Sequence, residues 1–200
     1  MIKCNVTIIG TITRGAEVRA TKDGKSFLSF GLQTTLCADS TDKKTIDIAA
    51  AMDGNDPTQF GFYSGSRVEI ECSLTLRKKE DKVYYNLSCS SIKISENADD
   101  SITGTMHFKG TLGTKGLTEK QGKKGPYRYF DAYNSEIDDD NYAYIWVHFI
   151  DFSPLAPDWL QPKTSIDAEG DFEFSVFNGR ESLNCRISTL ALWDKTSNRQ

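Results

Sequence analysis

Two hundred residues exceed the commonest domain size, so the chain can bury one large core or two small ones. With 38% hydrophobic and 26% charged residues the composition is that of a globular protein and excludes a disordered chain. No apolar run approaches the roughly 18 residues of a membrane span, and Met1-Ile2-Lys3-Cys4-Asn5 lacks the pattern of a secretory leader, so a cytoplasmic protein without a membrane partner is expected. The net charge of -4 sets aside a uniformly basic surface, yet it is uneven: residues 1–95 hold thirteen Lys and Arg against eleven Asp and Glu, residues 96–200 eleven against seventeen.

Alternating apolar residues predict strands throughout. In chain order the first falls near 3–13, followed by a hairpin turn at Asp23-Gly24. The strand near 26–35 places Leu28, Phe30 and Leu32 on one face and Phe27, Ser29 and Gln33 on the other. The next, near 44–52, points Ile46, Ile48 and Ala50 inward. Residues 53–65 have room for one short helix, which their Gly and Pro oppose. Strands near 67–77 and 83–94 complete this half, and Ser95-Glu96-Asn97-Ala98-Asp99-Asp100-Ser101 reads as a linker.

Beyond it, strands are expected near 103–113, 126–134, 142–150, 171–177 and 182–193. Phe130 and Ala132 face inward opposite Tyr127, Tyr129 and Tyr133; Ile145, Val147 and Phe149 face inward opposite Tyr144, Trp146 and His148. Pro154, Pro157 and Pro162 oppose a helix before the fourth strand, and Asn178-Gly179 marks a second tight turn.

The halves repeat. Gly10-Thr11 returns as Gly110-Thr111, Asp23-Gly24-Lys25 before Phe27-Leu28-Ser29-Phe30 as Gly122-Lys123-Lys124 before Tyr127-Arg128-Tyr129-Phe130, and Tyr85-Asn86-Leu87-Ser88-Cys89 as Leu183-Asn184-Cys185-Arg186-Ile187. The chain is therefore expected to be all-β, with two domains, 1–95 and 102–194, each a closed five-stranded barrel.

Cys4, Cys37, Cys72, Cys89 and Cys185 form no CxxC pair and are expected to be reduced, with Cys72, Cys89 and Cys185 in the core. His107 and His148 sit in no metal-binding pattern, and GxSxG, Walker-type and GxGxxG sequences are missing. No enzymatic activity, cofactor or small-molecule substrate is expected.

Val6-Thr7-Ile8-Ile9-Gly10-Thr11-Ile12, Ala16-Glu17-Val18-Arg19, Asp23-Gly24-Lys25 and Phe27-Leu28-Ser29-Phe30 together resemble the opening strands of the bacterial single-stranded DNA-binding protein family. Tyr63-Ser64-Gly65-Ser66-Arg67-Val68-Glu69-Ile70 with Leu74-Thr75-Leu76-Arg77-Lys78 resembles its fourth strand. The resemblance implies two consecutive OB-fold barrels, single-stranded DNA as partner, and a homodimer presenting four barrels, in replication, recombination or repair. The chain departs from the family in lacking tryptophan within residues 1–95, and in ending on Asp194-Lys195-Thr196-Ser197-Asn198-Arg199-Gln200 without an acidic, aromatic-tipped tail.

An OB barrel binds across its second and third strands, between the loops joining strands one to two and four to five. That rule assigns Phe27, Tyr84, Tyr127, Tyr129, Tyr144 and Trp146 as stacking rings. Arg19, Lys22, Lys25, Arg77, Lys78, Lys79 and Lys82 in the first copy, and Lys120, Lys123, Lys124, Arg128 and Arg180 in the second, become phosphate contacts. Plainer roles stand beside these: Lys78-Lys79-Glu80-Asp81 as a solvated hairpin tip, Tyr144 and Trp146 as an assembly surface, Asp138-Asp139-Asp140 as a solvated loop. The alternative function is a protein-interaction or structural module of a phage or mobile element.

Overall fold

The computed structural model describes residues 1–37, 43–58, 63–79, 82–122, 125–138 and 141–194. Eleven strands account for most of them. In the first half β1 (Ile2–Ala20) pairs with β2 (Ser26–Cys37), β2 with β3 (Lys43–Asp53), β3 with β5 (Lys82–Ile94), β5 with β4 (Arg67–Lys79), and β4 with β1. The ring closes, leaving a five-stranded barrel whose single parallel pairing is β3 with β5. The second half repeats the circuit through β6 (Ser101–Leu112), β8 (Gly125–Asp138), β9 (Asn141–Asp151), β11 (Arg180–Leu192) and β10 (Ser165–Phe177), again with one parallel pair, β9 with β11. Among the described residues no helix is long and apolar enough to cross a membrane.

One strand was not legible in advance. β7 (Thr118–Gly122) pairs with β8 and does for the second barrel what the outer half of β1 does for the first. The second copy breaks that long strand at Gly113–Leu117, where Gly116 takes a positive φ of 68°. β7 contains no apolar residue and lies on the sheet edge, so it carries no alternation to read. Most other strands run a few residues longer than the sequence suggests, β1 and β10 most of all. Residues 54–58 and 63–66 form turns and bends, the helix considered there being unsupported by them; 59–62 lie outside the described residues.

Alternation assigned the core faces correctly. Leu28, Phe30, Leu32, Ile46, Ile48, Ala50, Phe130, Ala132, Ile145, Val147 and Phe149 are all buried, and so are Cys72, Cys89 and Cys185. Cys4 joins them; burial pushes its thiol up to about 12, as it does that of Cys185. The repeated glycine has a shared cause. A Cβ on Gly10 would strike the Gln33 carbonyl, and one on Gly110 the Tyr133 carbonyl, because β1 and β6 pass directly beneath β2 and β8. The hairpin at Asn178-Gly179 has positive φ at both residues, 51° and 71°, while at Asp23-Gly24 only Gly24 does.

The two barrels are fused by an antiparallel ladder between β1 and β6, with Asn5 facing Thr105, Ile2 facing Phe108 and Ile8 facing Ile102. The internal repeat relates residue 5 to 105, 2 to 102 and 8 to 108. The ladder therefore runs through a local two-fold axis at Asn5 and Thr105, with the reciprocal pairing of an isologous interface. The buried residues form one cluster through both halves. Across the axis each barrel sends its fourth-to-fifth-strand hairpin against the other: Lys78 Nζ lies 3.5 Å from the Tyr144 carbonyl, and Lys44 Nζ lies 2.9 Å from Glu181 Oε1. Tyr85 meets Phe174 with ring centroids 5.3 Å apart. The linker is tied down by Arg67, which pairs with Asp100 and donates from Nη2 to the Asn97 and Ala98 carbonyls at 3.0 and 3.2 Å.

Candidate nucleic-acid interface

β8 and β9 present their outward side chains as cross-strand pairs, Tyr133 with Trp146, Asp131 with His148 and Ser135 with Tyr144. β-branched and aromatic residues suit this pleated surface because opposite side chains support one another. The Tyr133 centroid lies 4.9 Å from that of Trp146 and 5.4 Å from that of Tyr144, tilted against the first and edge-on to the second. Trp146 and Tyr144 nonetheless remain 47% and 43% exposed. The indole edge rests against Gly113, where a Cβ would lie 3.2 Å from Cζ3, so the break between β6 and β7 makes room for it. A cavity of about 250 Å³ between Trp146, Asp131 and the Gly113–Gly116 loop opens beside it.

Further along β8, Tyr129 stacks on His148 with centroids 5.9 Å apart, and Lys120 of β7 lies 4.9 Å over the Tyr129 ring. His148 Nδ1 is 2.6 Å from Asp131 Oδ1, and since a carboxylate only accepts, the ring donates there. The Tyr129 hydroxyl is 2.8 Å from the same nitrogen, and burial followed by its hydrogen bond to Asp131 pushes it up to about 12, so it stays a neutral phenol. Tyr127 packs on Phe152 at 5.6 Å, and the Arg186 guanidinium lies over the Phe152 ring at 4.8 Å. The rings from Tyr127 to Tyr133 span seven residues of one strand, roughly 20 Å at about 3.3 Å per step.

Trp146, Tyr144 and His148 open onto a groove of about 770 Å³ between the barrels, bounded by Lys78 of the β4–β5 hairpin and Arg180 of the β10–β11 hairpin. Of the residues singled out from sequence, Lys78, Tyr144, Trp146 and Arg180 are thus brought together, with Tyr129 and Tyr127 on the same sheet face. Arg77 and Lys79 are exposed beside Lys78. Arg19, Lys22 and Lys25 are exposed on the β1–β2 hairpin of the first barrel and do not line this groove; Arg19 Nη2 is 3.3 Å from Glu17 Oε2. Phe27 is half-buried at the start of β2, and Tyr84 lines a separate groove. Lys123 and Lys124 lie outside the described residues, as do Asp139, Asp140 and the side chain of Lys82.

Arg128 corrects the sequence reading. Its side chain is only 7% exposed, with Nε and Nη2 donating to Asp151 Oδ2 at 3.1 and 2.8 Å and Nη2 also to the Ser153 carbonyl at 2.6 Å. It ties the start of β8 to the end of β9 and meets no solvent-borne phosphate. Lys115, Gly113 and Glu181 line the site and were missed. Gly113 and Gly116 bracketing a lysine were the available signal.

The matching face of the first barrel is different. Gln33 and Asp47 stand where Tyr133 and Trp146 stand in the second, joined by a Gln33 Nε2 to Asp47 Oδ1 hydrogen bond of 3.2 Å. The large ring cluster belongs to β8 and β9 of the second barrel, while the first barrel reaches it with Lys78.

Neither a family model nor a curated protein matches the sequence. Solved structures do match. The wild-type single-stranded DNA binding protein from Thermus aquaticus is similar at 16% identity over 96% of this chain and 93% of that one, with a TM-score of 0.50. A small single-stranded DNA-binding protein from Streptomyces coelicolor is similar at 12% identity over 46% of this chain and 93% of its own, with a TM-score of 0.38. A single-stranded DNA-binding protein from Plasmodium falciparum, solved with single-stranded DNA, is similar at 18% identity over 49% and 91%, with a TM-score of 0.33. The likeness to the Thermus protein along nearly both whole chains fixes the fold class: all-β, two consecutive OB-fold barrels.

Proposed function

We propose that the chain binds single-stranded DNA in a sequence-tolerant way and catalyses no reaction on it, serving replication, recombination or repair. The observation that carries this reading is the half-exposed cluster of Tyr133, Trp146 and Tyr144, opening onto a groove edged by Lys78 and Arg180. Every base has a π-face, so exposed rings stack bases of any sequence for about 1 to 3 kcal/mol each, and neighbouring cations neutralise phosphates. A duplex hides those faces.

In this reading residues 1–95 and 102–194 are the two binding units, with unequal tasks. Bases stack on Tyr127, Tyr129, Tyr144 and Trp146; Lys78 and Arg180, supported by Arg77, Lys79 and Lys82, hold phosphates at the edge. Lys123 and Lys124, which follow β7 in the sequence, are further phosphate contacts, and Arg19, Lys22, Lys25 and Phe27 serve the first barrel's own hairpin. The Thermus protein carries single-stranded DNA binding in its name, which supports the assignment. In solution we take the unit to be a homodimer with four barrels in the cytoplasm; light scattering of the full chain at twice the monomer mass supports it, and the monomer mass removes it.

The test is a titration with oligo-dT followed by tryptophan emission. Trp146 is the tryptophan on the ring cluster, so bound DNA quenches its signal, and Trp146→Ala weakens binding by about 1 to 3 kcal/mol. Unchanged affinity in a folded Trp146→Ala chain overturns the site.

A further inference from the structure

Beside the groove at Trp146 lies another of about 730 Å³ on the first barrel, lined by Lys44, Thr45, Asp47, Tyr84, Asn86 and Glu181 among others. Val83, Tyr85 and Glu181 line both, so the two adjoin across that ridge. The second groove has its own ring, Tyr84, which is 45% exposed. It also has its own cation, Lys44, whose ammonium lies 2.9 Å from Glu181 Oε1 with both side chains about a third exposed. Glu181 comes from the opposite barrel, on the β10–β11 hairpin that Arg180 begins.

A carboxylate on a lysine at that distance makes the contact a phosphate oxygen makes. A partly exposed ion pair is weak and screened by salt, so a polyanion can exchange for its acidic member. We propose that a strand leaving the Trp146 cluster crosses the Tyr85–Glu181 ridge into this groove, stacks a base on Tyr84, and draws Lys44 from Glu181 onto a phosphate. Glu181 is then an internal competitor for the strand. It limits the occupancy of the first barrel until a chain long enough to reach it displaces the carboxylate. The inference rests on the reading of the Trp146 cluster as a single-strand site, and the length of the strand separates the two.

The full chain is titrated with labelled oligo-dT of about 8 nucleotides, within the span of one barrel, and of about 30, enough for both. Tyr84→Ala lowers affinity for the long oligomer about tenfold and leaves the short one unchanged, while Tyr84→Phe behaves as the parent. Glu181→Gln raises affinity for the long oligomer and Lys44→Gln lowers it, although both break the same ion pair. If these two substitutions shift affinity in the same direction, the pair only ties the barrels together and the proposal falls. It also falls if Tyr84→Ala is silent on the long oligomer while Trp146→Ala weakens both lengths. A silent Trp146→Ala removes instead the single-strand site on which the proposal rests.

Discussion

Replacing Asp151 by Ala leaves Arg128 as an uncompensated cation in a site where the two side chains are only 7% and 2% exposed. The guanidinium loses both hydrogen bonds to Oδ2 and keeps from Nη2 the Ser153 carbonyl. Ser153 loses in turn its own bonds to Asp151 Oδ1, at 2.8 Å from its amide and 2.5 Å from its hydroxyl. Breaking a buried pair by removing one partner costs about 3 to 5 kcal/mol. For a chain of this size each kcal/mol lowers Tm by about 2 to 4 °C, so a fall of roughly 10 °C is expected in a thermal melt followed by far-ultraviolet circular dichroism. Replacing both partners, Arg128→Met with Asp151→Leu, should recover most of that loss, because no charge is left stranded. A loss below about 1 kcal/mol for Asp151→Ala would mean that water reaches the pair and that Arg128 is a surface cation after all.

Other outcomes follow from the same geometry. Gly110→Ala should destabilise by about 1 to 3 kcal/mol, since its Cβ meets both the Tyr133 carbonyl and the Phe108 ring; a denaturant midpoint equal to the parent's would contradict the crowding. Stability should also fall in acid. Burial pushes Asp151 up, but hydrogen bonds from Ser153 and Arg128 outweigh it, and for Asp167 those from His107 and Lys109 do the same, so both sit below the ordinary 3.8. A carboxyl lowered in the folded state contributes stability above its unfolded value and loses it as pH falls through the folded one. Denaturant midpoints should therefore be flat from pH 7 to about 5 and drop below about 4, and a midpoint still flat at pH 3 would refute the coupling.

Much of the fold was legible because a barrel strand must alternate, and because the second barrel repeats the first. Leu28, Phe30 and Leu32, or Ile145, Val147 and Phe149, declare their faces by spacing alone. The aromatic cluster followed from the same alternation, since Tyr144, Trp146 and His148 had to point away from that core. What stayed hidden depends on partners far along the chain. A buried Arg128 and a surface lysine look alike until Asp151 is brought opposite by the β8–β9 register. The meeting of Lys78 with Tyr144, of Lys44 with Glu181 and of Tyr85 with Phe174 follows from the β1–β6 ladder, which no local pattern encodes. β7 had no apolar residue to show.

The most direct test of single-strand binding is competition between oligo-dT and a duplex of the same length at two salt concentrations. Each phosphate neutralised contributes about -0.7 to the slope of log affinity against log salt on a single strand, so affinity should fall steeply with salt. Arg77→Ala with Lys78→Ala and Lys79→Ala should flatten that slope. The account predicts strong preference for oligo-dT, because only a single strand offers base faces to Tyr133, Trp146 and Tyr144. Equal affinity for duplex, or binding indifferent to salt, would contradict it.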